Sequence, residues 1–232
     1  MILYYITDRT QFPGTEQQRR DRLLAKIAEA ARCGVDMIQL REKDLPARAL
    51  GILVQQAVRT VREAAAQSPH AIRLLINSRV DVAIAAGADG VHLRSGDITA
   101  SEARVIFSKA GITATTIAVS CHSPWEVRLA EAHGADYAVF GPVFAKSGVG
   151  NADGISSLRQ VCRKVPASGI ESAVPAGEMP VLALGGVALD NATACLDAGA
   201  TGIAGIRLFQ EHDLARIVPA LRAMAVNRQT FG

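Results

Sequence analysis

The sequence feature that most constrains the fold is a short glycine-centred segment that occurs four times along the chain. Each copy has an apolar helical pattern, a glycine, a small residue, an Asp or Thr, and then a short apolar run. The four copies are Gly34-Val35-Asp36, Gly87-Ala88-Asp89, Gly134-Ala135-Asp136 and Gly199-Ala200-Thr201. This pattern predicts a helix that ends at a left-handed glycine and turns directly into a buried strand.

The spacing of these glycines predicts how many strand–helix units the chain contains. Positions 34, 87, 134 and 199 are separated by 53, 47 and 65 residues. One unit of an eight-unit barrel takes about 30 residues, because about 250 residues make the whole barrel. Each interval therefore holds two units, and the chain holds eight. We expect an α/β fold in which residues 1–232 form a single (β/α)8 TIM barrel.

Short apolar runs between the repeats have the composition of strands that are buried on both faces. We predict strands near residues 3–7, 36–40, 73–76, 90–93, 115–119, 137–140, 181–184 and 202–206. Helical patterns alternate with them, for example at 17–32, 47–67, 79–86, 123–132 and 190–198. The alternative is an open doubly wound sheet, which is disfavoured because no Gly-x-Gly-x-x-Gly motif follows the first strand.

One segment, residues 167–179, breaks the alternation. It is small and polar, it has no apolar period, and Pro175 and Pro180 mark its boundaries. We expect a surface insertion between the sixth helix and the seventh strand, which explains why the third interval is the longest. No second domain is needed.

Composition excludes several classes of protein. Lys and Arg total 25 against 22 Asp and Glu, and aromatic residues make up only 4% of the chain, so we expect no nucleic-acid partner. The apolar stretches are far shorter than the ~20 residues that cross a bilayer. The N-terminal residues lack signal-peptide features, and the four cysteines are widely separated, as in a reducing cytosol. We therefore expect a soluble, cytoplasmic protein with no membrane partner; whether it forms a homodimer is left open.

Polar residues follow several of the predicted strands, at the end where a barrel carries its active site. They are Gln39, Arg41, Lys43, Asn77, Ser78, His92, Asp97, Ser120, Cys121 and His122. So many polar groups with few aromatic rings indicate a small anionic substrate. Arg41 and Lys43 lie two residues apart, so in an extended chain they share one side and suit a phosphate or pyrophosphate. The alternative is a solvent-exposed face formed by Arg41, Glu42 and Lys43.

Glycine-rich loops follow the seventh and eighth predicted strands. Gly185 and Gly186 follow the seventh strand, and Gly205, Ile206 and Arg207 end the eighth. In many barrels these two loops bind phosphate, because exposed backbone N–H groups can close on its oxygens. The alternative is that the glycines only form the turns that start helices.

Two histidines at strand ends are candidates for different roles. His122 suits general acid–base catalysis, since its reference pKa lies near neutrality. The alternative places His122 at the entry of a helix that is capped by Ser123. His92 follows an apolar strand and could equally be a hydrogen-bonded core histidine. Cys121 is adjacent to His122, which alone does not indicate a nucleophilic Cys–His pair.

Several short motifs, in a fixed order along the chain, together resemble one known family. They are Tyr5-Ile6-Thr7-Asp8, Ile38-Gln39-Leu40-Arg41-Glu42-Lys43, Asn77-Ser78-Arg79-Val80-Asp81-Val82-Ala83, Gly87-Ala88-Asp89-Gly90-Val91-His92-Leu93, Val119-Ser120-Cys121-His122-Ser123, Gly134-Ala135-Asp136-Tyr137, Phe140-Gly141-Pro142-Val143-Phe144 and Leu184-Gly185-Gly186-Val187. From near the N-terminus to about Phe209 the chain resembles the thiamine phosphate synthase/TenI superfamily. The resemblance implies the same barrel and an enzyme of thiamine biosynthesis that acts on small phosphorylated thiazole and pyrimidine substrates.

Synthases of this family join a hydroxymethylpyrimidine pyrophosphate to a thiazole phosphate, and pyrophosphate leaves first. The resemblance places Gln39, Arg41, Lys43 and Asn77 at positions that bind the pyrimidine and the pyrophosphate, and Ser120 near the reacting centre. It places the thiazole phosphate at Gly186 and at the backbone around Gly205 and Ile206. It also implies Mg²⁺ as a cofactor, with Asp97 as a ligand.

The chain departs from the synthase pattern at several positions. Ser78 stands where the synthases have an Asp that binds Mg²⁺, and Arg94-Ser95-Gly96 replaces the usual Gly-Gln-Glu before Asp97. In residues 144–150 there is no Thr, and Lys146 comes too early to match the lysine that grips pyrophosphate. Arg207 replaces a Ser at the thiazole phosphate site, where it could bind phosphate through its charge.

These departures leave three functions open. The first is thiamine phosphate synthase, a transferase that requires Mg²⁺. The second is the TenI-type tautomerase, which moves a proton without a metal; its histidine position is Pro142 here, so the acid–base role would fall to His122. The third is a regulatory paralogue that binds thiazole phosphate and catalyses no reaction.

Overall fold

Eight parallel strands form a closed barrel in the computed structural model, which describes residues 1–66, 71–144, 152–163 and 179–229. Each strand pairs with the next, and the last pairs with the first. The strands are β1 (Ile2–Ile6), β2 (Met37–Leu40), β3 (Arg73–Asn77), β4 (Gly90–Leu93), β5 (Thr116–Cys121), β6 (Tyr137–Phe140), β7 (Val181–Ala183) and β8 (Gly202–Gly205). The predicted (β/α)8 barrel and the positions of all eight strands are confirmed.

Helices alternate with the strands and cover the barrel. They are α1 (Glu16–Arg32), α2 (Ala47–Ala65), α3 (Val80–Ala86), α4 (Ala100–Lys109), α5 (Pro124–Ala132), α6 (Ala152–Cys162), α7 (Ala192–Asp197), α8 (Arg207–Gln210) and α9 (Leu214–Gln229). Capping boxes at Thr15 and Thr99 fix the starts of α1 and α4, because each hydroxyl accepts a hydrogen bond from the third helical N–H. The proposed insertion at 167–179 lies outside the described residues, apart from Met179.

The four repeats carry both the turn and the hydrogen bond that start a strand. All four repeat glycines have positive φ, from +67° at Gly87 to +107° at Gly199, as the pattern predicts. The aspartate of each of the first three repeats then accepts a hydrogen bond from the backbone N–H of a residue in the preceding strand. These bonds are Asp36 with Leu3 (2.6 Å), Asp89 with Leu74 (2.7 Å) and Asp136 with Ile117 (2.7 Å). The repeated acids therefore stabilise the N-terminal end of the barrel, away from the candidate site.

Apolar side chains fill the inside of the barrel and the space between strands and helices. The interior cluster consists of Tyr4, Ile6, Met37, Leu75, Ala118, Val139, Leu182 and Ala204. This packing closes the barrel and leaves its C-terminal mouth as the place for a ligand. Within the described ranges, no helix has the length and apolar character needed to span a bilayer.

Candidate active site

The C-terminal mouth of the barrel holds a cavity of about 650 Å³ that brings most of the predicted polar residues together. Six candidates from three different strand ends line it: Gln39, Arg41, Lys43, Asn77, Ser120 and His122. Arg94, which sequence reasoning noted only as a departure from the family pattern, lines the same cavity. The cavity is therefore rich in cations and hydrogen-bond donors, which suits an anionic ligand.

A second cavity, of about 440 Å³, lies beside the first at the ends of β7 and β8. The predicted phosphate-binding residues all line it: Gly185, Gly186, Gly205, Ile206 and Arg207. Gly185 has φ +97°, and a Cβ there would lie 2.7 Å from the Cα of Pro142, so only glycine fits this turn. Leu184 and Ile206 line both cavities, so the two spaces adjoin.

A series of hydrogen bonds starts at Gln39 and Asn77, which line the first cavity, and leads to the loop after β4. Gln39 is buried, and its Nε2 donates to Asn77 Oδ1 at 2.9 Å. Asn77 Nδ2 donates to Ser78 Oγ at 3.1 Å, and Ser78 Oγ donates to Asp97 Oδ2 at 2.6 Å. Each side chain donates a hydrogen bond to the next one, so the series ends at the carboxylate of Asp97, which can only accept.

Asp97 also forms an ion pair with Arg94. The Arg94 backbone N–H donates to Oδ2 at 2.8 Å, and its Nη2 donates to Oδ1 at 2.8 Å. Burial alone would raise the pKa of Asp97, but the hydrogen bonds from Arg94 and Ser78 outweigh burial and lower it. Both oxygens of this ionised carboxylate are therefore engaged by groups of the chain itself.

This arrangement does not fit a Mg²⁺ ion. Magnesium is usually bound through one or two carboxylates together with substrate phosphates and water. Asp97 already has Arg94 and Ser78 as partners, and Ser78 brings a hydroxyl whose proton points to Asp97. Asp97 as a metal ligand stays a prediction, and the geometry does not favour it.

His92 is a buried histidine that holds Ser120 in place. Its two ring nitrogens lie 2.9 Å from the Tyr4 hydroxyl and 2.7 Å from Ser120 Oγ. Burial, helped by the positive charge of Arg41, lowers the pKa of His92 to about 3. The ring is thus neutral and has a partner at each nitrogen, as in the alternative that makes it a core histidine. Through this bond His92 positions the hydroxyl of Ser120 at the cavity.

We expect the buried neutral His92 to make the protein less stable in acid. Its pKa is about 6.5 in the unfolded chain and about 3 in the folded one. Between these values the unfolded chain takes up a proton that the folded chain does not, so the free energy of unfolding falls as pH falls. From pH 6.5 to 4.5 the loss should be about 2 kcal/mol. Urea unfolding should show a smaller loss for His92→Asn and the wild-type loss for His133→Asn; equal losses in all three would contradict the prediction.

His122 lies at the cavity and at the entry to α5, so both sequence-based interpretations describe its position. Ser123 caps α5 by accepting a hydrogen bond from the Glu126 N–H at 3.2 Å. His122 Nδ1 is hydrogen-bonded to the carbonyl oxygen of Gly141. A carbonyl can only accept, so Nδ1 carries the proton, and Nε2 of a neutral ring is left as an acceptor.

Glu42 is a structural residue that sequence reasoning missed. The alternative of a solvent-exposed Arg41-Glu42-Lys43 face is wrong for Glu42, which is only 5% exposed. Its carboxylate accepts from Thr7 Oγ1 at 2.6 Å, from the Arg9 backbone N–H at 3.0 Å and from Arg9 Nη1 at 3.1 Å. Thr7 Oγ1 in turn accepts from the Arg41 N–H at 3.0 Å. The network anchors the loop that carries Arg41 and Lys43.

Three comparisons with known proteins agree with one another. The family model described as thiamine monophosphate synthase matches residues 3–209. The chain is 40% identical to a putative thiamine-phosphate synthase of Geobacter sulfurreducens, over 87% of this chain and 83% of that protein. It is 35% identical to the thiamine-phosphate synthase of Roseiflexus castenholzii, over 88% of this chain and 79% of that protein. The solved thiamine phosphate pyrophosphorylase of Pyrococcus furiosus superposes with a TM-score of 0.73 at 29% identity, covering 100% of this chain and 97% of that one.

Proposed function

The chain belongs to the thiamine monophosphate synthase family, and on that basis we propose that it is a thiamine phosphate synthase. It joins a hydroxymethylpyrimidine pyrophosphate to a thiazole phosphate and releases pyrophosphate. The names of its relatives favour this transferase over the TenI-type tautomerase.

The observation that carries the proposal is the pair of adjoining cavities at the barrel mouth. One is lined by Arg41, Lys43 and Arg94, and the other by the glycines after β7 and β8. A reaction between two phosphorylated substrates needs two anion sites that meet at the reacting atoms. Leu184 and Ile206 line both cavities, and the proposal has the pyrimidine methylene and the thiazole nitrogen react beside them.

Each part of the site has a role in this reaction. The bond from the pyrimidine methylene to pyrophosphate breaks with its electron pair going to the leaving oxygen, and the thiazole nitrogen then forms the new C–N bond. Negative charge grows on the leaving group, so Arg41 and Lys43 stabilise the transition state more than the ground state. Gln39 and Asn77 orient the pyrimidine, and Ser120, held by His92, lies near the reacting centre. Arg207 and the glycine loops hold the thiazole phosphate.

The purified protein, incubated with both substrates, should form thiamine phosphate and pyrophosphate in equal amounts. The assay is run with Mg²⁺ and again with excess EDTA, and each substrate is omitted in turn as a control. The absence of thiamine phosphate under both conditions would contradict the proposal. Binding of thiazole phosphate without turnover would instead support the regulatory alternative.

We place this activity in the cytoplasm. Cys33, Cys121, Cys162 and Cys195 are all free thiols in the structure, as in proteins of a reducing compartment.

A further inference from the structure

The first cavity contains three cations and no acid among the described residues that line it. Arg41, Lys43 and Arg94 all contribute to its surface. The pKa of Lys43 is lowered first by the charge of Arg41, then by burial and by Arg94, so these cations are close enough to repel one another. A bound anion would relieve this repulsion. The cavity is therefore electrostatically prepared for a polyanion.

Arg94 is held in place at this cavity by Asp97. The Arg94 side chain is 64% exposed, whereas the Asp97 side chain is only 11% exposed, so Arg94 is the member of the pair that faces solvent. Nε and Nη2 each donate to Asp97. A guanidinium has five N–H donors, so others are left for a ligand. Arg94 is thus a tethered cation rather than a freely rotating surface arginine.

Ser78 gives Asp97 a neutral hydrogen-bond partner. It has φ +58° and places its hydroxyl 2.6 Å from the Asp97 carboxylate. A carboxylate at position 78 would face Asp97 at short range, and the repulsion between two such groups favours a cation between them. The hydroxyl instead donates a hydrogen bond, and Arg94 supplies the single positive charge that Asp97 requires.

We propose that this chain binds the diphosphate group of its pyrimidine substrate with Arg94, Arg41 and Lys43 and without a divalent cation. Asp97 and Ser78 are positioning residues that hold Arg94. This inference rests on the proposed function and concerns its leaving-group site. When the C–O bond breaks and its electron pair passes to the diphosphate oxygen, Arg94 supplies positive charge where a metal ion would otherwise act.

Calorimetric titration with inorganic pyrophosphate in excess EDTA tests the proposal without using turnover. The wild type should bind, and Arg94→Ala should bind about 10- to 100-fold more weakly, the range for a lost hydrogen-bonded charge. Arg94→Lys should recover part of the loss. Arg104→Ala is the matched control, because it removes an arginine paired with Asp136 outside the cavity, and it should bind as the wild type does. No wild-type binding in EDTA, or unchanged binding by Arg94→Ala, would overturn the proposal.

A second experiment asks whether the metal site can be created. The double variant Ser78→Asp/Arg94→Gly should bind Mn²⁺ at least 10-fold more tightly than the wild type, measured by the paramagnetic resonance of free Mn²⁺, with folding checked by circular dichroism. Equal Mn²⁺ binding by the folded double variant and the wild type would count against the replacement of a metal by Ser78 and Arg94.

The failures of the two proposals are distinguishable in the synthase assay. Thiamine phosphate that forms in EDTA supports both. Thiamine phosphate that forms only with Mg²⁺ leaves the synthase assignment intact and overturns the metal-free site. No thiamine phosphate under either condition rejects the synthase assignment itself.

Discussion

Replacing Arg41 by alanine is expected to lower kcat/KM for thiamine phosphate formation by about 10²- to 10³-fold, the typical cost of removing one preorganised group that stabilises transition-state charge. Arg41 lines the cavity with Lys43, and its backbone N–H is fixed by Thr7. Its interaction strengthens as charge grows on the leaving group, so kcat should fall more than KM rises. Steady-state kinetics with the pyrimidine substrate varied at saturating thiazole phosphate measure both constants.

Two further variants show whether the effect of Arg41 is local. Arg41→Lys keeps the charge but loses the planar fork, so its kcat/KM should lie between those of the wild type and Arg41→Ala. Arg128→Ala makes the same change of charge on the outside of the barrel, where Arg128 stacks on Trp125, and should keep wild-type kinetics. If Arg41→Ala changed only KM, Arg41 would bind the ground state and the transition state equally. The prediction that Arg41 acts in the chemical step would then be wrong.

Replacing Glu42 by alanine is expected to lower the free energy of unfolding by about 3 kcal/mol. The change leaves the Arg9 backbone N–H and the Thr7 hydroxyl without their acceptor, and it removes a buried counter-charge from Arg9. Arg9 is only 2% exposed, so water cannot replace the lost partner. This loss of free energy is at the lower end of the range for breaking a buried ion pair, because Asp44 and Glu16 still pair with Arg9. Guanidinium unfolding monitored by circular dichroism measures it.

Asp44→Ala is the matched control for Glu42. Its carboxylate also pairs with Arg9, at 2.7 Å, but its side chain is 57% exposed. Water can replace an exposed partner, so this variant should lose only about 1 kcal/mol. Equal losses from Glu42→Ala and Asp44→Ala would show that burial of Glu42 does not decide its contribution.

Much of the site could be predicted because barrels place function at one end. Once the strands were located, Arg41, Lys43, Asn77, Ser120 and His122 followed as residues just after them, and they line one cavity. Arg94 also follows a strand, but the sequence of the loop does not show which acidic residue this arginine pairs with. Its pairing with Asp97 depends on how the loop after β4 folds back.

The acids of the repeat show a limit of pattern reading. The sequence shows where Asp36, Asp89 and Asp136 recur, but not what they bind. Each accepts a hydrogen bond from a backbone N–H of the preceding strand. Such a partner is one of many equivalent backbone groups, so only the packed barrel identifies it.

The sequence by itself determined the alternation of strands and helices, the left-handed glycines and the end of the barrel that carries the site. These depend on local apolar periods and on backbone freedom at single residues, which neighbouring positions fully specify. Only the tertiary structure decided that Glu42 is buried and accepts a hydrogen bond from Thr7, 35 positions away, and that Ser78 donates to Asp97, 19 positions away. Whether a charged side chain is solvated or paired depends on which groups distant segments bring to it. The free energy of a charge depends strongly on that environment, which the neighbouring sequence does not specify.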